Sequence, residues 1–192
     1  MATASSGSAR KAKRRAARPR VSVLRIGHRP GRDPRLTTHL ALAARALGAE
    51  RMYLHPPDPS VEESLRRVAS KWGGRFEVVP AANWRAVVRE HAGGVVHLTM
   101  YGLELARLVP RLRRASSLLF VVGGAKVPSD LYRIADYNVA VGDQPHSEVA
   151  ALAVALERVR GLPVRGGRAG AQLQIVPSAR GKKVRVRPGS PP

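Results

Sequence analysis

Residues 136–159 read DYNVAVGDQPHSEVAALAVALERV, and this stretch decides the fold. The run from Tyr137 to Val141 is short, uncharged and rich in small apolar side chains, which is typical of a strand that is covered on both faces. Gly142 and Pro145 break the strand, and Ser147 begins a helix that contains almost no polar side chain. Because a helix of this kind is apolar around most of its circumference, it needs a core or a second subunit to cover it.

The same order of strand, loop and helix occurs five more times before this stretch. Apolar runs bounded by Gly and Pro predict strands at 21–26, 51–54, 76–79, 95–100 and 116–122. A helical segment follows each run, and strands that alternate with helices form a parallel sheet. We therefore predict an α/β fold with a mostly parallel six-stranded sheet and helices on both faces.

The first predicted helix follows the loop GHRPGRDPR at 27–35. Thr37 or Thr38 can cap its first turn, and Gly48 ends it. Its buried face is predicted from apolar side chains at helical spacing, which are Leu36, Leu40, Ala43 and Leu47.

The positive charge of the chain is concentrated at its two ends. The 192 residues hold 34 basic and 13 acidic side chains, for a net charge of +21. Residues 1–20 and 161–192 each hold seven basic side chains and no acidic one. Both ends are also rich in Ala, Gly, Ser and Pro, a composition that favours disorder. We predict a disordered basic tail at 1–19, a domain at 20–162 and a basic, Gly- and Pro-rich tail at 163–192, with the tails contacting nucleic-acid phosphates.

Several classes of protein and site are disfavoured by the sequence. The chain has no Cys, which excludes disulfides and thiolate metal sites. No apolar run has the length of a membrane span and no secretory h-region follows the first basic residues, so we expect a cytoplasmic protein without a membrane partner. No metal is expected because the six His residues lack HxxxH or HxH spacing. The GxGxxG, Walker and GxSxG patterns of nucleotide sites and hydrolases are also missing.

Three polar or Gly-containing loops follow the last three predicted strands. They are HLTMYG at 97–102, GGAKVP at 123–128 and GDQPHSE at 142–148. Ligands of α/β proteins bind outside the carboxyl ends of the strands, so neighbouring strands bring these loops to one site. Gly123 and Gly124 allow the backbone to approach a ligand closely.

Four segments resemble one family in order and in detail. They are LRIGHRPGRDPRLTTHLALAARALGA (24–49), VHLTMYG (96–102), VVGGAKVP (121–128) and IADYNVAVGDQPHSEVAALAV (134–154). Together they resemble the archaeal tRNA (cytidine-56) 2′-O-methyltransferases of the SPOUT superfamily. The resemblance covers about residues 21–160 and leaves both basic tails outside. It implies S-adenosylmethionine-dependent methylation of the ribose of cytidine 56 in the TΨC loop of tRNA, a C-terminal deep trefoil knot and a homodimer.

The resemblance also assigns the three loops to the cofactor. The residues that it implies for S-adenosyl-L-methionine are Leu98, Thr99, Gly123, Gly124, Ala125, Lys126, Val127, Pro128, Gly142, Asp143, Gln144, Pro145, His146 and Ser147. Ala125 departs from the family pattern, in which Glu is usual. This departure predicts weaker cofactor binding or binding through backbone donors alone.

Candidate catalytic residues come from the first loop and helix. Other ribose methylases of the superfamily use an Arg in the corresponding motif, and a gapless match places Leu42 at its position. We prefer Arg35, which could bind the target phosphate, and place His39 second because imidazole accepts a proton near neutral pH. Arg25, His28, Arg29 and Arg32 are predicted to contact RNA. Two alternatives stay open, namely an RNA-binding protein without catalysis and ribose methylation of another RNA.

Overall fold

The computed structural model describes residues 18–124, 126–163 and 168–187. Ala125 and residues 1–17, 164–167 and 188–192, for which predictions were made above, lie outside the described residues. The elements are β1 Arg20–Arg25, α1 Pro34–Ala46, β2 Arg51–Leu54, α2 Pro59–Trp72, β3 Glu77–Pro80, α3 Trp84–Glu90, β4 Gly94–Glu104, α4 Leu105–Leu112, β5 Ser117–Val122, α5 Leu131–Ile134, β6 Tyr137–Ala140, α6 Glu148–Arg160, β7 Leu173–Ile175 and β8 Val184–Val186. The six predicted strands and the helices between them are confirmed.

The first six strands form one sheet in the order β3-β2-β1-β5-β4-β6. Every neighbouring pair in this sheet is parallel. The chain moves outward from β1 to β3 and then returns to build β4, β5 and β6 on the other side. As a result the carboxyl ends of β5, β4 and β6 lie side by side at one edge of the sheet.

Helices cover both faces of this sheet, as the apolar runs of the strands predict. Successive side chains of a strand point to opposite faces. Val21 and Val23 of β1 pack with α1, α2, α4 and α6, whereas Leu24 packs on the other face with Trp84 of α3 and Leu131 of α5. Because the side chains of β1 and β5 are almost entirely buried on both faces, these two strands form the centre of the core.

Helix α1 begins earlier than predicted and buries a different face. Asp33 precedes its first residue and Pro34 lies in its first turn, where the fixed φ of proline suits a helix. The prediction that Thr37 or Thr38 caps the helix is therefore wrong. Its buried residues are Thr37, Leu40, Ala41, Ala44 and Arg45. Leu36, which the spacing assigned to the buried face, is 39% exposed.

Strand β4 also differs from its prediction, because it continues beyond residue 100, where a loop was predicted, as far as Glu104. Leu98 and Leu103 both pair with Val139 of β6, so the residues between them bulge out of the ladder. A Cβ on Gly102 would overlap the backbone of Asn138 and Val139. The bulge therefore depends on a glycine that lets β4 and β6 touch.

The C-terminal segment is ordered where the composition predicted disorder. Strands β7 and β8 form an antiparallel pair within residues 168–187. The pair is attached to the end of α2 through backbone bonds from Gly74 N to the Ala169 carbonyl (2.9 Å) and from Gln172 N to the Lys71 carbonyl (3.0 Å). Ala171 is 4% exposed. The segment gains order from contacts with the domain, which a composition argument about isolated segments leaves out.

The lengths of the described helices can be compared with the thickness of a membrane. None of the described helices is long and apolar enough to cross a bilayer.

Candidate functional site

A cleft of about 470 Å³ lies at the carboxyl ends of β4, β5 and β6. The three predicted loops meet there, because their strands are neighbours in the sheet. The predicted cofactor residues that line the cleft are Leu98, Thr99, Gly123, Gly124, Val127, Gln144, Pro145 and His146. Lys126, Pro128, Gly142, Asp143 and Ser147 belong to the same loops but do not line it. The volume lies within the range of about 300–1,000 Å³ that is usual for small-molecule sites.

Glycines keep the wall formed by the loop after β5 close to its neighbours. A Cβ on Gly123 would overlap Cγ1 of Val127 in the same loop. A Cβ on Gly124 would lie 3.8 Å from Glu148 Oε1 and 3.9 Å from the Arg25 guanidinium. The loop therefore presents backbone, rather than side chains, to the cleft at both positions.

A buried polar network supports the floor of the cleft. Asn138 Nδ2 donates to the carbonyl of Tyr132, so the Asn138 Oδ1 faces His97 and accepts from its Nδ1–H at 2.8 Å. Tyr132 and Thr99 share a hydrogen bond of 3.1 Å between their hydroxyls. Burial lowers the pKa of His97, which keeps the ring neutral. With Nδ1 as the donor to Asn138, the neutral ring has its acceptor at Nε2, and His97 is among the residues that line the cleft.

Two residues that were predicted to contact RNA are buried instead. Arg25 is 1% exposed, and its Nη1 lies 3.0 Å from Glu148 Oε2. His28 is 2% exposed and donates from Nε2 to Asp58, while its Nδ1 lies 2.9 Å from the Thr37 hydroxyl. Hydrogen bonds from Ser60 and then from His28 lower the pKa of Asp58, so its carboxylate stays ionised. The structure does not support RNA contact by either residue, because intrachain partners occupy them.

The loop between β1 and α1 does present other cations. Arg29 and Arg32 are exposed. Arg29 donates from its backbone N, Nε and Nη2 to the carboxylate of Asp33. The side-chain hydrogen bond from Arg29 lowers the pKa of Asp33 from 3.8 to about 2. This pair fixes the loop in place, and Arg32 extends from it toward solvent.

The two predicted catalytic residues lie on helix α1, outside the cleft. Arg35 and His39 are both within α1, four residues apart, so they share a face as the spacing predicted. Both are exposed, and neither is among the residues that line the cleft of this chain.

The predicted site residues did not include three lining residues whose polar groups matter here, namely Tyr132, His97 and Glu148. Tyr132 comes from the short helix α5, where no pattern distinguishes it from a packing residue. His97 has no distinguishing spacing in the sequence, and its hydrogen bond to Asn138 depends on the pairing of β4 with β6. Glu148 lies in the first turn of α6, where an acidic residue is ordinary helix chemistry. Its position beside Gly124 could be recognised only in the folded chain.

Comparison with protein families gives one match. The model of the family described as tRNA ribose 2'-O-methyltransferase, aTrm56, matches residues 72–185. The match extends beyond the stretch of about 21–160 that carried the resemblance in the sequence. It includes β7 and most of β8, so the prediction that the C-terminal basic segment lies outside the family resemblance is wrong for residues 161–185.

Two curated relatives are similar over nearly their whole length. The tRNA (cytidine(56)-2'-O)-methyltransferase of Archaeoglobus fulgidus is 49% identical over 164 residues, which are 85% of this chain and 97% of the relative. That of Thermococcus kodakarensis is 50% identical over 175 residues, which are 87% of this chain and 97% of the relative.

Two solved structures of methyltransferases have a similar fold. An rRNA methyltransferase from Sinorhizobium meliloti has a TM-score of 0.56 at 20% identity and covers 74% of this chain and 56% of that one. The SpoU methyltransferase AviRb from Streptomyces viridochromogenes, in complex with AdoMet, has a TM-score of 0.51 at 21% identity, with 76% and 59% covered. At these identities the likeness shows the fold alone.

Proposed function

Since the chain belongs to the tRNA ribose 2'-O-methyltransferase family, we propose that it transfers a methyl group from S-adenosylmethionine to the 2′-oxygen of cytidine 56 in tRNA. One observation carries this proposal: relatives named for this reaction are 49% and 50% identical over almost their full length. Fold alone would leave the substrate open, because one fold hosts many functions.

The cofactor is proposed to bind in the cleft formed by β4, β5 and β6. Glycine backbone at Gly123 and Gly124 can approach an adenosine closely, and His97 lines the same cleft. The AdoMet complex of AviRb, which has a similar fold, supports the choice of cofactor. When bound, S-adenosylmethionine supplies an electrophilic methyl group on a positively charged sulfur.

The reaction needs in-line placement of the ribose oxygen and removal of its proton. A bond forms between the 2′-oxygen and the methyl carbon, the carbon–sulfur bond breaks, and its electron pair stays on sulfur. The sulfur leaves as a neutral thioether, so no general acid is required. We assign Arg35 to the phosphate of the target nucleotide and His39 to the proton, because a guanidinium with a pKa above about 12 is a poor proton acceptor.

A homodimer is part of the proposal because Arg35 and His39 lie outside the cleft of their own chain. Helix α6 packs against α1 and α4 through its buried face, yet Ala150 and Val154 remain exposed one helical turn apart. We propose that this apolar strip contacts a second copy and that Arg35 of one protomer approaches the cleft of its partner. Val154→Glu should give a monomer in sedimentation analysis, while the wild-type chain sediments as a dimer.

We also propose that the C-terminal part of the domain is tied in a deep trefoil knot. Its support is the crossover from β5 past β4 to β6, followed by the return of α6 against α1. Such knots are rare among proteins, and the family relationship is the reason for proposing one here.

Contact with tRNA is assigned to two basic regions. Arg29 and Arg32 extend from the loop before α1, and the segment around β8 carries Arg180, Lys182, Lys183, Arg185 and Arg187. Clustered positive side chains of this kind bind the phosphates of a nucleic acid and do not by themselves distinguish one base from another.

The test is methyl transfer from radiolabelled S-adenosylmethionine to an unmodified tRNA transcript, with a transcript that has uridine in place of cytidine 56 as control. We expect label on the first transcript and none on the second. Label on both would keep the reaction and overturn the target. Absence of label, together with absence of cofactor binding by calorimetry, would favour an RNA-binding protein without catalysis.

A further inference from the structure

Glu148 is the single charged side chain among the described residues that line the cleft. It lies in the first turn of α6, directly after the helix cap Ser147, and its side chain is 25% exposed. The other lining residues are apolar, aromatic or neutral, apart from two histidines. A carboxylate in such surroundings determines the charge that the cleft prefers in a ligand.

Arg25 forms an ion pair with this carboxylate. It is the last residue of β1, is 1% exposed, and lies 3.0 Å from Glu148 Oε2 through Nη1. The contact has the distance of an ion pair but not the angles of a hydrogen bond. Within the described part of the chain, Nε and Nη1 of Arg25 and Oε2 of Glu148 have no hydrogen-bond partner although each is shielded from solvent.

Unsatisfied buried charges of this kind are costly, so they call for an explanation. If the pair served stability alone, its geometry would be expected to supply hydrogen bonds as well as proximity. Gly124 passes over the pair without a side chain, and an atom built at its Cβ position would be 3.8 Å from Glu148 Oε1. Glu148 itself lines the cleft and its side chain is 25% exposed, so a ligand can reach the carboxylate.

We propose that Glu148, positioned by Arg25, binds the α-ammonium group of the methionine end of S-adenosylmethionine. This inference rests on the proposed cofactor and deepens it by assigning one end of the ligand. The ammonium can donate up to three hydrogen bonds, and an ionised carboxylate is its strongest partner in proteins. Arg25 acts through Glu148 and is a positioning residue.

The chemistry of the reaction favours the ammonium over the sulfonium as the partner of Glu148. The sulfur loses its positive charge in the transition state, so a carboxylate against it would stabilise the ground state more and slow the transfer. The ammonium keeps its charge throughout, so its pairing with Glu148 adds affinity without opposing the reaction.

Binding of three ligands by calorimetry separates these possibilities. S-adenosylmethionine has the ammonium and the sulfonium, S-adenosylhomocysteine has the ammonium alone, and 5′-methylthioadenosine has neither. We expect Glu148→Gln to weaken the first two by about tenfold or more, in equal measure, because a charged hydrogen bond is lost. Affinity for 5′-methylthioadenosine should stay at the wild-type value. Glu157→Gln, which alters an exposed acid on the same helix, is the matched control and should change none of the three.

Each other result overturns the assignment. Unchanged affinities in Glu148→Gln would show that the carboxylate does not touch the ligand. A loss confined to S-adenosylmethionine would place it against the sulfonium, and an equal loss for all three ligands would make the pair structural. If the wild-type chain binds none of the three, the proposed cofactor itself fails, which is a distinct outcome.

Glu148→Gln leaves the buried guanidinium of Arg25 without a charged partner, so this variant could lose binding because it misfolds. A second variant controls for that outcome. Arg25→Met with Glu148→Gln removes both charges. This double variant should bind 5′-methylthioadenosine as the wild type does and still lose the preference for the two ammonium ligands. Retention of that preference would overturn the proposal.

Discussion

The cleft and the C-terminal hairpin present charge in opposite ways. The cleft encloses about 470 Å³ between backbone and apolar walls, with Glu148 as its one charged side chain in the described residues. The segment from 180 to 187 exposes Arg180, Lys182, Lys183 and Arg185 and contains no acidic residue. Under the proposed function, the cleft would select a small cationic cofactor by shape and one charge, whereas the hairpin would attract a polyanion over distance by many exposed charges.

The two regions also depend on different parts of the fold. The cleft needs the close approach of β4 and β6 at Gly102. The hairpin needs α2 to end at Gly73, where a Cβ would lie 2.5 Å from the Ala171 backbone nitrogen. Each region therefore has a glycine whose substitution should damage that region and leave the other intact.

The largest effect is expected from Gly102→Ala. A methyl group at this position would push the backbone of β6 away from β4, at a cost of about 1–3 kcal/mol in the free energy of unfolding. We expect cofactor binding to be lost in calorimetry while the chain stays folded by circular dichroism. Gly73→Ala is the counterpart and should keep cofactor affinity but weaken tRNA binding in a filter assay. If both variants lost both ligands, the two regions would not be independent.

Arg35→Ala should come next, since Arg35 belongs to neither region. We expect cofactor affinity to be unchanged and single-turnover methyl transfer to fall by about a hundredfold or more, because a group that positions the target phosphate is lost. His39→Ala, one turn along the same helix, distinguishes the two candidates. Near wild-type turnover in Arg35→Ala would remove Arg35 from the mechanism.

Neutralising the basic side chains of the hairpin should have a smaller effect, which is measured as a change in the salt dependence of tRNA binding. Replacing Lys182, Lys183 and Arg185 by Gln should lower the slope of log affinity for tRNA against log salt by about 2–3, because each phosphate contact contributes roughly 0.7–0.9. Substitution is preferable to truncation at 163, because the hairpin is attached to α2. An unchanged slope would mean that these cations do not contact tRNA, and affinity for the cofactor serves as the control.

The smallest effect concerns the loop that Arg29 and Asp33 hold. Because the pKa of Asp33 is lowered to about 2 from 3.8, its contribution to stability is fully present above about pH 4 and is lost as the pH falls through about 2. Urea unfolding should therefore show Asp33→Asn to be less stable than the wild type at neutral pH, with a difference that shrinks in acid. Asp143→Asn, which alters an exposed carboxylate in another loop, is the control variant.

Both regions also show how far sequence reasoning reaches. The strand and helix positions came from periodicity and turn residues, and the meeting of three loops at one edge followed from the rule for parallel strands. The eight loop residues that line the cleft were named on that basis and the family resemblance. The hairpin was missed because its order comes from α2, far away in the chain.

By itself the sequence determined where the strands, helices and Gly-containing turns lie, because each depends on residues that are close in the chain, and their alternation indicated a parallel sheet. Tertiary structure alone decided that Arg25 is buried against Glu148, that His28 bridges Thr37 and Asp58, and that β7 and β8 pack on α2. The role of a charged side chain depends on whether a distant partner removes it from water. That partner is set by which elements become neighbours, and local pattern does not encode it.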